Sequence, residues 1–497
     1  MGDKMFVHEL TRKGAKDRIA ITDHGRSFTY GEFSKKYRKY RDHLYFDGVR
    51  AGDRVGIFSR NSPEFIFAYF GILALGAIAV PINFQLKTRE IAYIIKDAGI
   101  KTLLTYEEKD LSAALLALGC DTALIQPNIN TYGEGEFDEA PPLPFDFNEN
   151  NAATIIYTSG TTGLPKGAVL SHNNLISNLE QITGLKTDST HNVLCVLPMY
   201  HCFGWTCAVL NTFFTGARVV ILDSFTPKET IETIREEKIT DLYLVPSICS
   251  LITKLAKPED MKSLRLVRSA GTALPKRIAE DFTAKFGKVI SEVYGLSEAS
   301  PIVTINPYKK TREGSIGKVI PGLQHRIVDS ENHAVHEGET GELIVKGPNV
   351  MLGYWNLEDA TEEALRGGWL HTNDVVREDA DGYIYIVDRI KDMIISMGEN
   401  IYPREVEELI YQYPGIYEAA VVGVYDKLRG QAGVCFYTLQ TNAENFNAKD
   451  LKKFLQENLA LYKIPREFYK LDKLPRTSTG KISKRILQAN YEANKKK

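Results

Sequence analysis

The sequence predicts an α/β protein whose largely parallel sheets are followed by a small α+β unit. From residue 15 to about residue 330, short apolar β runs alternate with amphipathic helical segments, as is typical of parallel sheets joined by crossover helices. Short β runs separated by Gly, Pro and Asp turns follow at 325–328, 341–345 and 382–387, and they indicate a smaller, twisted β-rich module. After Asp388 the pattern becomes a compact α+β unit, so the 497 residues should form more than one domain.

Apolar runs and amphipathic periodicity define the individual elements. In the α/β region, strands are expected at Arg54–Phe58, Thr102–Thr105, 153–157, 193–197, 217–222, 242–245, Leu266–Ser269 and 289–294. Helices in the same region are expected at 63–75 and 227–237. In the C-terminal unit, helices are expected at 405–411 and 447–458, and strands at 418–424 and 433–438.

One uncharged segment, residues 65–84, is as long as a membrane span. Gly71, Gly76 and Pro81 interrupt it, so a buried helix to about Leu75 and a buried strand at 77–80 fit better. Residues 1–12 are charged throughout and lack the apolar core of a secretory signal. The expected location is therefore the cytoplasm, with no transmembrane segment.

Charge and cysteine content restrict the classes of ligand. Lys and Arg total 61 against 63 Asp and Glu, for a net charge of -2, which gives no support for nucleic acid as the main partner. Cys195, His201, Cys202 and Cys207 lie close in sequence and raise the question of a zinc site. The 6 cysteines have no C-x-x-C spacing, so reduced and mostly buried thiols are the preferred interpretation.

The richest motif is residues 157–167, with the sequence YTSGTTGLPKG. It follows a β run and combines glycines, which let the backbone approach phosphate oxygens, with hydroxyl donors and the charge of Lys166. A Walker-type loop is excluded, because Lys166 follows Pro165 and precedes Gly167 rather than Ser or Thr. The motif predicts a phosphate-binding loop of another kind.

Three further motifs carry polar groups that would be unremarkable alone. Tyr294 to Glu298 (YGLSE) offers an aromatic face for a base and a carboxylate for a hard cation such as Mg²⁺, although a strand end with a capping Glu has the same appearance. Asp374 closes the run WLHTND, where a surface turn is the simplest alternative. Lys481 lies in a polar, glycine-flanked loop, where a solvated lysine is the simplest alternative.

The string at 157–167 resembles the signature loop of the acyl-adenylate-forming enzymes, which include acyl-CoA synthetases, peptide-synthetase adenylation domains and luciferases. The other motifs follow in the family's order, so the resemblance covers essentially the whole chain. It implies two α/β subdomains and a distorted β-barrel in an N-terminal adenylation domain, residues 1–388. It also implies a small mobile C-terminal lid, residues 389–497, with a hinge near Lys391.

The resemblance also implies ATP, Mg²⁺ and coenzyme A as ligands. The loop would hold the β- and γ-phosphates, Tyr294 would lie against adenine, Asp374 would bind the ribose hydroxyls, and Thr158 with Glu298 would hold the metal. The residues expected at the nucleotide, metal and coenzyme A sites are Thr158, Ser159, Gly160, Thr161, Thr162, Gly163, Lys166, Gly271, Thr272, Ala273, Glu292, Val293, Tyr294, Gly295, Ser297, Asp374, Arg389, Lys391, Gly398 and Lys481.

The resemblance further implies that the catalytic residues are Lys481, Glu298, Thr158 and His201. Lys481 would enter the site for adenylation and offset the repulsion between the carboxylate and the α-phosphate. Gly398 would lie beside the pantetheine tunnel.

Two positions depart from the family pattern. Met397 stands where close relatives often have Gly, which could narrow the approach to that tunnel. Asn373 stands where the family usually has Gly, but asparagine tolerates left-handed φ, so the site should survive.

Residues 197–205 (LPMYHCFGW) resemble the segment that lines the acyl pocket of fatty acyl-CoA synthetases, with His201, Phe203 and Trp205 on one wall. Residues 201–210 contain no acidic side chain, which disfavours an amino acid substrate and suits an alkyl or aryl acid. Residues 341–351 and 385–408 look especially like bacterial long-chain acyl-CoA ligases. The expected function is therefore an acid–thiol ligase, an acyl-CoA synthetase acting on a medium- or long-chain fatty acid.

Two other enzyme classes stay open, an aryl-acid–CoA ligase and a stand-alone carrier-loading adenylation enzyme. A non-catalytic nucleotide-binding relative is disfavoured because Lys166, Glu298, Asp374 and Lys481 are all present. The expected partners are the carboxylic acid, ATP and coenzyme A. Peripheral contact with a membrane and pairing into a homodimer stay open.

Overall fold

The computed structural model describes residues 5–120, 123–158, 164–182, 187–307, 310–390, 392–396, 399–440, 443, 446–477 and 481–495. Its strands, numbered in chain order, are β1 (Ile19–Asp23), β2 (Arg26–Thr29), β3 (Arg54–Phe58), β4 (Ile78–Pro81), β5 (Thr102–Thr105), β6 (Ala152–Thr158), β7 (Lys166–Ser171), β8 (Asn192–Cys195), β9 (Arg218–Ile221), β10 (Asp241–Leu244), β11 (Leu266–Ser269), β12 (Ile290–Gly295), β13 (Ile302–Ile305), β14 (Lys318–Val319), β15 (Gln324–Val328), β16 (Gly341–Lys346), β17 (Gly353–Tyr354), β18 (Leu370–Glu378), β19 (Ile384–Arg389), β20 (Ile394–Ser396), β21 (Glu399–Ile401), β22 (Ile416–Asp426), β23 (Gly430–Leu439) and β24 (Glu467–Lys470).

The α-helices pack mainly against the faces of these sheets. They are α1 (Tyr30–Phe46), α2 (Pro63–Ala74), α3 (Thr88–Ala98), α4 (Ser112–Ala117), α5 (His172–Gln181), α6 (Asn211–Phe214), α7 (Pro227–Glu236), α8 (Pro246–Leu255), α9 (Lys276–Phe286), α10 (Glu358–Ala364), α11 (Pro403–Gln412), α12 (Ala448–Asn458) and α13 (Lys484–Lys495). A π-helix, Gly204–Leu210, runs directly into α6.

The largest sheet has nine strands in the order β14-β13-β12-β11-β10-β8-β9-β1-β2. Pairing is parallel from β12 across to β1 and antiparallel at both edges. The predicted strands Arg54–Phe58, Thr102–Thr105 and Leu266–Ser269 are confirmed to the residue, and the others within a few residues. Parallel pairing brings the carboxyl ends of β8, β10, β11 and β12 to one edge, where a ligand site is expected in such sheets.

A second sheet has six strands in the order β17-β7-β6-β4-β3-β5, with β5, β3, β4 and β6 parallel. The uncharged segment that resembled a membrane span supplies α2 and β4 to this part of the protein. Ser62 caps α2 by accepting a hydrogen bond from the Phe65 amide at 3.1 Å, and Pro63 occupies the first turn. Gly76, with φ of +77°, turns the chain after the helix. In the described residues, no helix is both long and apolar enough to cross a membrane.

The β-rich module is a four-stranded antiparallel sheet in the order β15-β16-β18-β19. In the described residues it is open, because β15 and β19 stand at opposite edges, and it therefore differs from the distorted barrel that the resemblance implied. The C-terminal unit is a sheet in the order β21-β20-β23-β22 with β24 beside β23. Two separate apolar clusters fill this unit, one on each side of the β22–β23 hairpin. The domain boundary at residues 388 and 389 stays a prediction.

Candidate functional site

The buried polar centre of the site is formed by Tyr294 at the end of β12 and by Asp374 and Arg389 on the paired strands β18 and β19. The Tyr294 hydroxyl donates to Oδ2 of Asp374 at 2.5 Å, and Nε of Arg389 lies 2.9 Å from Oδ1. Burial, followed by the Asp374 charge, raises the pKa of Tyr294 well above its ordinary value, so the phenol stays a donor. The same carboxylate raises the pKa of the Arg389 guanidinium. The structure therefore joins three of the residues expected at the nucleotide site.

Asn373 has a φ of +59°, the left-handed conformation that asparagine was expected to tolerate. Its amide donates to Oε1 of the buried Glu342 at 2.9 Å, and Oε2 of Glu342 contacts Nδ1 of His371 at 2.8 Å. The Asp374 amide donates to the Thr372 hydroxyl at 3.1 Å. These contacts hold the turn that presents Asp374.

Glu292, two residues before Tyr294, is buried beneath the turn that follows β11. Its Oε1 accepts a hydrogen bond from the Leu274 amide at 3.1 Å, directly after the expected adenine-site residues Thr272 and Ala273. Burial raises the pKa of Glu292 to about 7, although the nearby Arg404 opposes the rise. Val293 is buried in the main core.

The strands β6 and β7 flank the predicted phosphate loop. Thr158 and Lys166 are cross-strand partners, and the Thr158 hydroxyl donates to the Lys166 carbonyl at 3.4 Å. The predicted residues Ser159, Gly160, Thr161, Thr162 and Gly163 lie outside the described part of the chain. The two ends of the predicted loop are thus fixed by one antiparallel ladder.

Asp97, at the end of α3, connects β6 with the segment after β17. The Tyr157 hydroxyl donates to Oδ2 of Asp97 at 2.5 Å. The Asp97 carbonyl accepts hydrogen bonds from Nε1 of Trp355 and Nδ2 of Asn356, each at 3.1 Å. This single residue therefore contacts both the start of the predicted loop and a segment about 200 residues further along the chain.

Tyr354 on β17 contacts both Glu298, the expected metal ligand, and Lys166, the lysine expected to bind phosphate. Its hydroxyl donates to Oε1 of Glu298 at 2.8 Å, and the ammonium of Lys166 lies 5.2 Å from the centre of its ring. Burial, followed by the Glu298 charge, raises the pKa of Tyr354 above its ordinary value. Sequence reasoning missed Tyr354, since no motif marked it.

The oxygen donors fit the expected Mg²⁺. Tyr354 occupies one carboxylate oxygen of Glu298 and leaves the other available, and Thr158 supplies a hydroxyl. Mg²⁺ is usually held by one or two carboxylates together with substrate phosphates, so a single carboxylate is sufficient. In the described residues, the side chains close enough to share one ion as a group of three are Asp23, His24 and Asp223. The cysteines and histidine at 195–207, weighed as a zinc site and not preferred, are not among them.

Lys481, from the C-terminal unit, lies at the turn after β11. A Cβ placed on Gly271 would be 4.0 Å from Cε of Lys481. Burial, followed by the charge of Lys481, lowers the pKa of His201 to about 4, so the imidazole is neutral near pH 7. Nδ1 of His201 accepts the Phe203 amide at 3.3 Å, which leaves the ring proton on Nε2. The structure thus brings the predicted lysine and histidine into one electrostatic environment.

The segment expected to line the acyl pocket is mostly core. Trp205 is 1% exposed, with ring centroids 4.4 Å from Tyr69 and 5.4 Å from Phe65, and Phe203 is also buried. His201 is only partly buried. The adjacent Cys202 is a buried thiol 3.2 Å from the Ser297 hydroxyl, and burial raises its pKa to about 11. Of the three predicted wall residues, His201 is therefore the one in contact with accessible space.

A charged residue that sequence reasoning missed lies behind this wall. Arg268 on β11 is buried, and its guanidinium is 5.7 Å from the ring centre of Tyr243 on β10. The Tyr243 ring in turn meets Phe203 edge-on at 6.0 Å. The signal was present in the sequence, because an arginine inside an apolar strand is unusual.

The junction with the C-terminal unit is tied by buried charges. Both carboxylate oxygens of Asp388 accept backbone amides, from Arg389 at 2.7 Å and from Arg404 at 2.9 Å. Burial raises the pKa of Asp388 to about 6. Lys484 pairs with Glu407 at 2.8 Å, beside the same carboxylate. The predicted hinge residue Lys391 and the tunnel residues Met397 and Gly398 lie outside the described residues.

Two family models match the chain. The AMP-binding enzyme model matches residues 9–355, and the AMP-binding enzyme C-terminal domain model matches residues 405–481. These two ranges contain most of the site residues described above, including Tyr294, Glu298, Tyr354 and Lys481.

Individual proteins match over nearly the full length. A feruloyl-CoA synthase of Amycolatopsis sp is 35% identical, covering 94% of each chain. A long-chain-fatty-acid–CoA ligase of Bacillus subtilis (strain 168) is 33% identical, covering 98% of this chain and 94% of the relative. A solved structure of o-succinylbenzoate coenzyme A synthetase from Bacillus subtilis, in complex with ATP and magnesium ion, has a TM-score of 0.86 at 27% identity, covering 98% of this chain and 99% of that one.

Proposed function

Because the chain belongs to the AMP-binding enzyme family, we propose that it is an acid–thiol ligase that activates a carboxylic acid with ATP and transfers the acyl group to coenzyme A. The observation that carries this proposal is the position of Lys481. This side chain comes from the C-terminal unit, yet it lies beside Gly271 and lowers the pKa of His201. A cation delivered to that point suits a reaction between two anions.

In the first step, a carboxylate oxygen of the acid attacks the α-phosphorus of ATP, the bond to the bridging oxygen breaks, and pyrophosphate leaves with that electron pair. Lys481 would offset the charge that accumulates as the two anions meet. Asp374 would accept the ribose hydroxyls, and Lys166 would contact the leaving phosphates. Mg²⁺, held by Glu298 and Thr158, would supply positive charge to the phosphate oxygens.

In the second step, the coenzyme A thiolate attacks the acyl carbonyl of the acyl-adenylate and AMP leaves. We propose that residues 389–497 turn about Lys391 between the two steps, withdrawing Lys481 and presenting Gly398 to the thiol. The hydrogen bond from the Arg404 amide to Asp388 crosses this junction, so it would have to rearrange during the turn, whereas Lys484 and Glu407 both belong to the turning unit.

For the acid, we propose a medium- or long-chain fatty acid. The segment 201–210, which contains no acidic side chain, supports an apolar acyl group beside His201, because each buried CH₂ contributes about 0.8 kcal/mol. The long-chain-fatty-acid–CoA ligase relative, matched over 98% of this chain, supports the same substrate class.

A second candidate substrate is an aryl acid with a polar ring substituent. Arg268 favours it, because a buried guanidinium next to Tyr243 could donate a hydrogen bond to a phenolic or methoxy oxygen at the far end of the substrate. The relative that is a feruloyl-CoA synthase also supports it.

A pyrophosphate-release assay with a panel of acids, with and without coenzyme A, tests these proposals. Octanoate and palmitate represent the fatty acids, and ferulate and benzoate represent the aryl acids. Pyrophosphate release that depends on an acid, followed by thioester formation only when coenzyme A is present, is the expected result. Absence of AMP formation with every acid would reject the ligase, and acyl-AMP that never reacts with coenzyme A would favour a carrier-loading enzyme.

A further inference from the structure

Tyr354 contacts two side chains, Glu298 and Lys166, that the proposed function places at the phosphates of ATP. Its hydroxyl donates to Oε1 of Glu298 at 2.8 Å, and its ring carries the Lys166 ammonium 5.2 Å from its centre. Glu298 lies in the short turn after β12 in the nine-stranded sheet, whereas Lys166 begins β7 in the six-stranded sheet. The tyrosine therefore spans the two sheets at the site.

The position of Tyr354 is fixed by its backbone on both sides. Tyr354 pairs with Ala168 across the β17–β7 ladder, and its amide donates to the Thr361 hydroxyl at 2.8 Å. On the side of Glu298, the Met351 amide donates to the Glu298 carbonyl at 2.8 Å. These bonds fix the backbone from which the Tyr354 ring projects, and the contacts with Glu298 and Lys166 then set where the ring lies.

We propose that Tyr354 is a positioning residue that orients the Glu298 carboxylate toward Mg²⁺ and holds Lys166 beside the same nucleotide. This inference rests on the proposed function, which assigns ATP and Mg²⁺ to the site. By occupying Oε1 of Glu298, the hydroxyl would leave Oε2 to bind Mg²⁺, since hydrogen-bond partners commonly orient metal ligands. The negative face of the Tyr354 ring attracts the Lys166 ammonium, and this attraction helps to hold the lysine near the nucleotide.

Tyr354→Phe removes the hydroxyl and keeps the ring. The measurement is the rise in thermal unfolding temperature given by ATP at fixed concentration, titrated with Mg²⁺, because a ligand that binds the folded state stabilises it. We expect the Mg²⁺ concentration for half of the effect to rise by about tenfold, the lower end for lost partners of metal ligands. The matched control is Tyr132→Phe, which also removes a phenol bound to a carboxylate, Oδ2 of Asp47 at 2.7 Å, and should leave the Mg²⁺ titration unchanged.

Two further variants separate the two contacts. In a Glu298→Ala background, Tyr354→Phe should add nothing to the Mg²⁺ requirement, and an additive rise would overturn the inference. Tyr354→Leu removes the ring as well, so the KM for ATP should rise about threefold above its value in Tyr354→Phe, since an exposed cation–π contact is worth roughly 0.5–1 kcal/mol.

The outcomes distinguish this inference from the proposed function. If the parent protein releases pyrophosphate but Tyr354→Phe keeps the parental Mg²⁺ titration, the positioning role is wrong and the ligase stands. If no acid gives pyrophosphate, the ligase is wrong. The positioning role still stands if the Mg²⁺ titration of the ATP-induced thermal shift differs between the parent and Tyr354→Phe.

Discussion

The Tyr294 hydroxyl and Oδ2 of Asp374 are 2.5 Å apart, and this bond ties the expected adenine site to the expected ribose site. Asp374 also pairs with Arg389, so both of its oxygens have protein partners while each keeps a lone pair for a ribose hydroxyl. The contacts with Tyr294 and Arg389 thus fix the direction in which the Asp374 carboxylate can accept hydrogen bonds.

Asp374→Asn should raise the KM for ATP by about tenfold or more, with a smaller change in kcat. Hydrogen bonds to charged groups contribute about 1.5–3 kcal/mol, and about 1.4 kcal/mol is a tenfold change. Steady-state kinetics at varied ATP provides the measurement. The control is Asp381→Asn, whose exposed carboxylate pairs with Arg312 at 2.6 Å. An unchanged KM in Asp374→Asn would show that this carboxylate does not bind ATP.

Lys481→Ala should slow acyl-AMP formation by at least about a hundredfold, the usual effect of losing an electrostatic group that acts on the transition state. Thioester formation from supplied acyl-AMP should be nearly unaffected, because that step joins a thiolate to an uncharged carbonyl. Single-turnover assays of each step measure both effects. Lys473→Ala, which alters an exposed lysine of the same unit, serves as the control. Equal loss in both steps would contradict a role confined to adenylation.

Glu292→Gln should make stability less dependent on pH. Burial raises the folded-state pKa of Glu292 from 4.5 to about 7, with Arg404 opposing and Glu408 adding to the rise. Between these values the folded chain holds a proton that the unfolded chain has released, so this carboxyl's contribution to stability falls as pH rises from 4.5 to 7. Relative to the parent, the glutamine variant should gain up to about 3 kcal/mol between pH 4.5 and pH 8.

Urea unfolding at pH 4.5 and pH 8 measures this difference in the free energy of unfolding. Glu362→Gln, at an exposed position, should parallel the parent at both pH values. If the Glu292→Gln profile also runs parallel to the parent, the carboxyl is already ionised in the folded protein.

Gly295→Ala should destabilise the protein by about 3 kcal/mol or more, the upper range for overpacking. A Cβ at Gly295 would lie 1.9 Å from the Pro301 carbonyl oxygen, so the strand pairing between β12 and β13 would have to separate. Gly433→Ala is the matched control, since its Cβ would meet nothing closer than 3.6 Å. Thermal unfolding compares the two, and similar unfolding temperatures would contradict the close approach at Gly295.

Much of the fold follows from local sequence pattern. The parallel strands are short apolar runs bounded by turn residues, and so Leu266–Ser269 was located to the residue. The break at Gly76 separated α2 from β4 for the same reason. The order of strands in the sheets did not follow, because pairing such as β9 with β1 depends on contacts between residues about 200 positions apart.

Some residues of the candidate site were predicted from the sequence, and others were not. Tyr294 and Asp374 were each marked by a motif, Arg389 was implied by the family resemblance, and the structure brings the three together. Tyr354 and Arg268 were not marked, since their relevance depends on neighbours that only the folded chain supplies. Trp205 was expected on a pocket wall, but packing against Tyr69 places it in the core.

The contacts of Asp97 have a consequence for how related sequences should differ. A relative that replaces Tyr157 with phenylalanine would leave the Asp97 carboxylate without its phenol donor, whereas the carbonyl contacts to Trp355 and Asn356 would persist. Aspartate at position 97 should therefore be retained mainly where tyrosine occupies position 157. An alignment of relatives would reveal this as paired substitution at positions 97 and 157. Independent variation at the two positions would show that selection does not maintain the hydrogen bond between them.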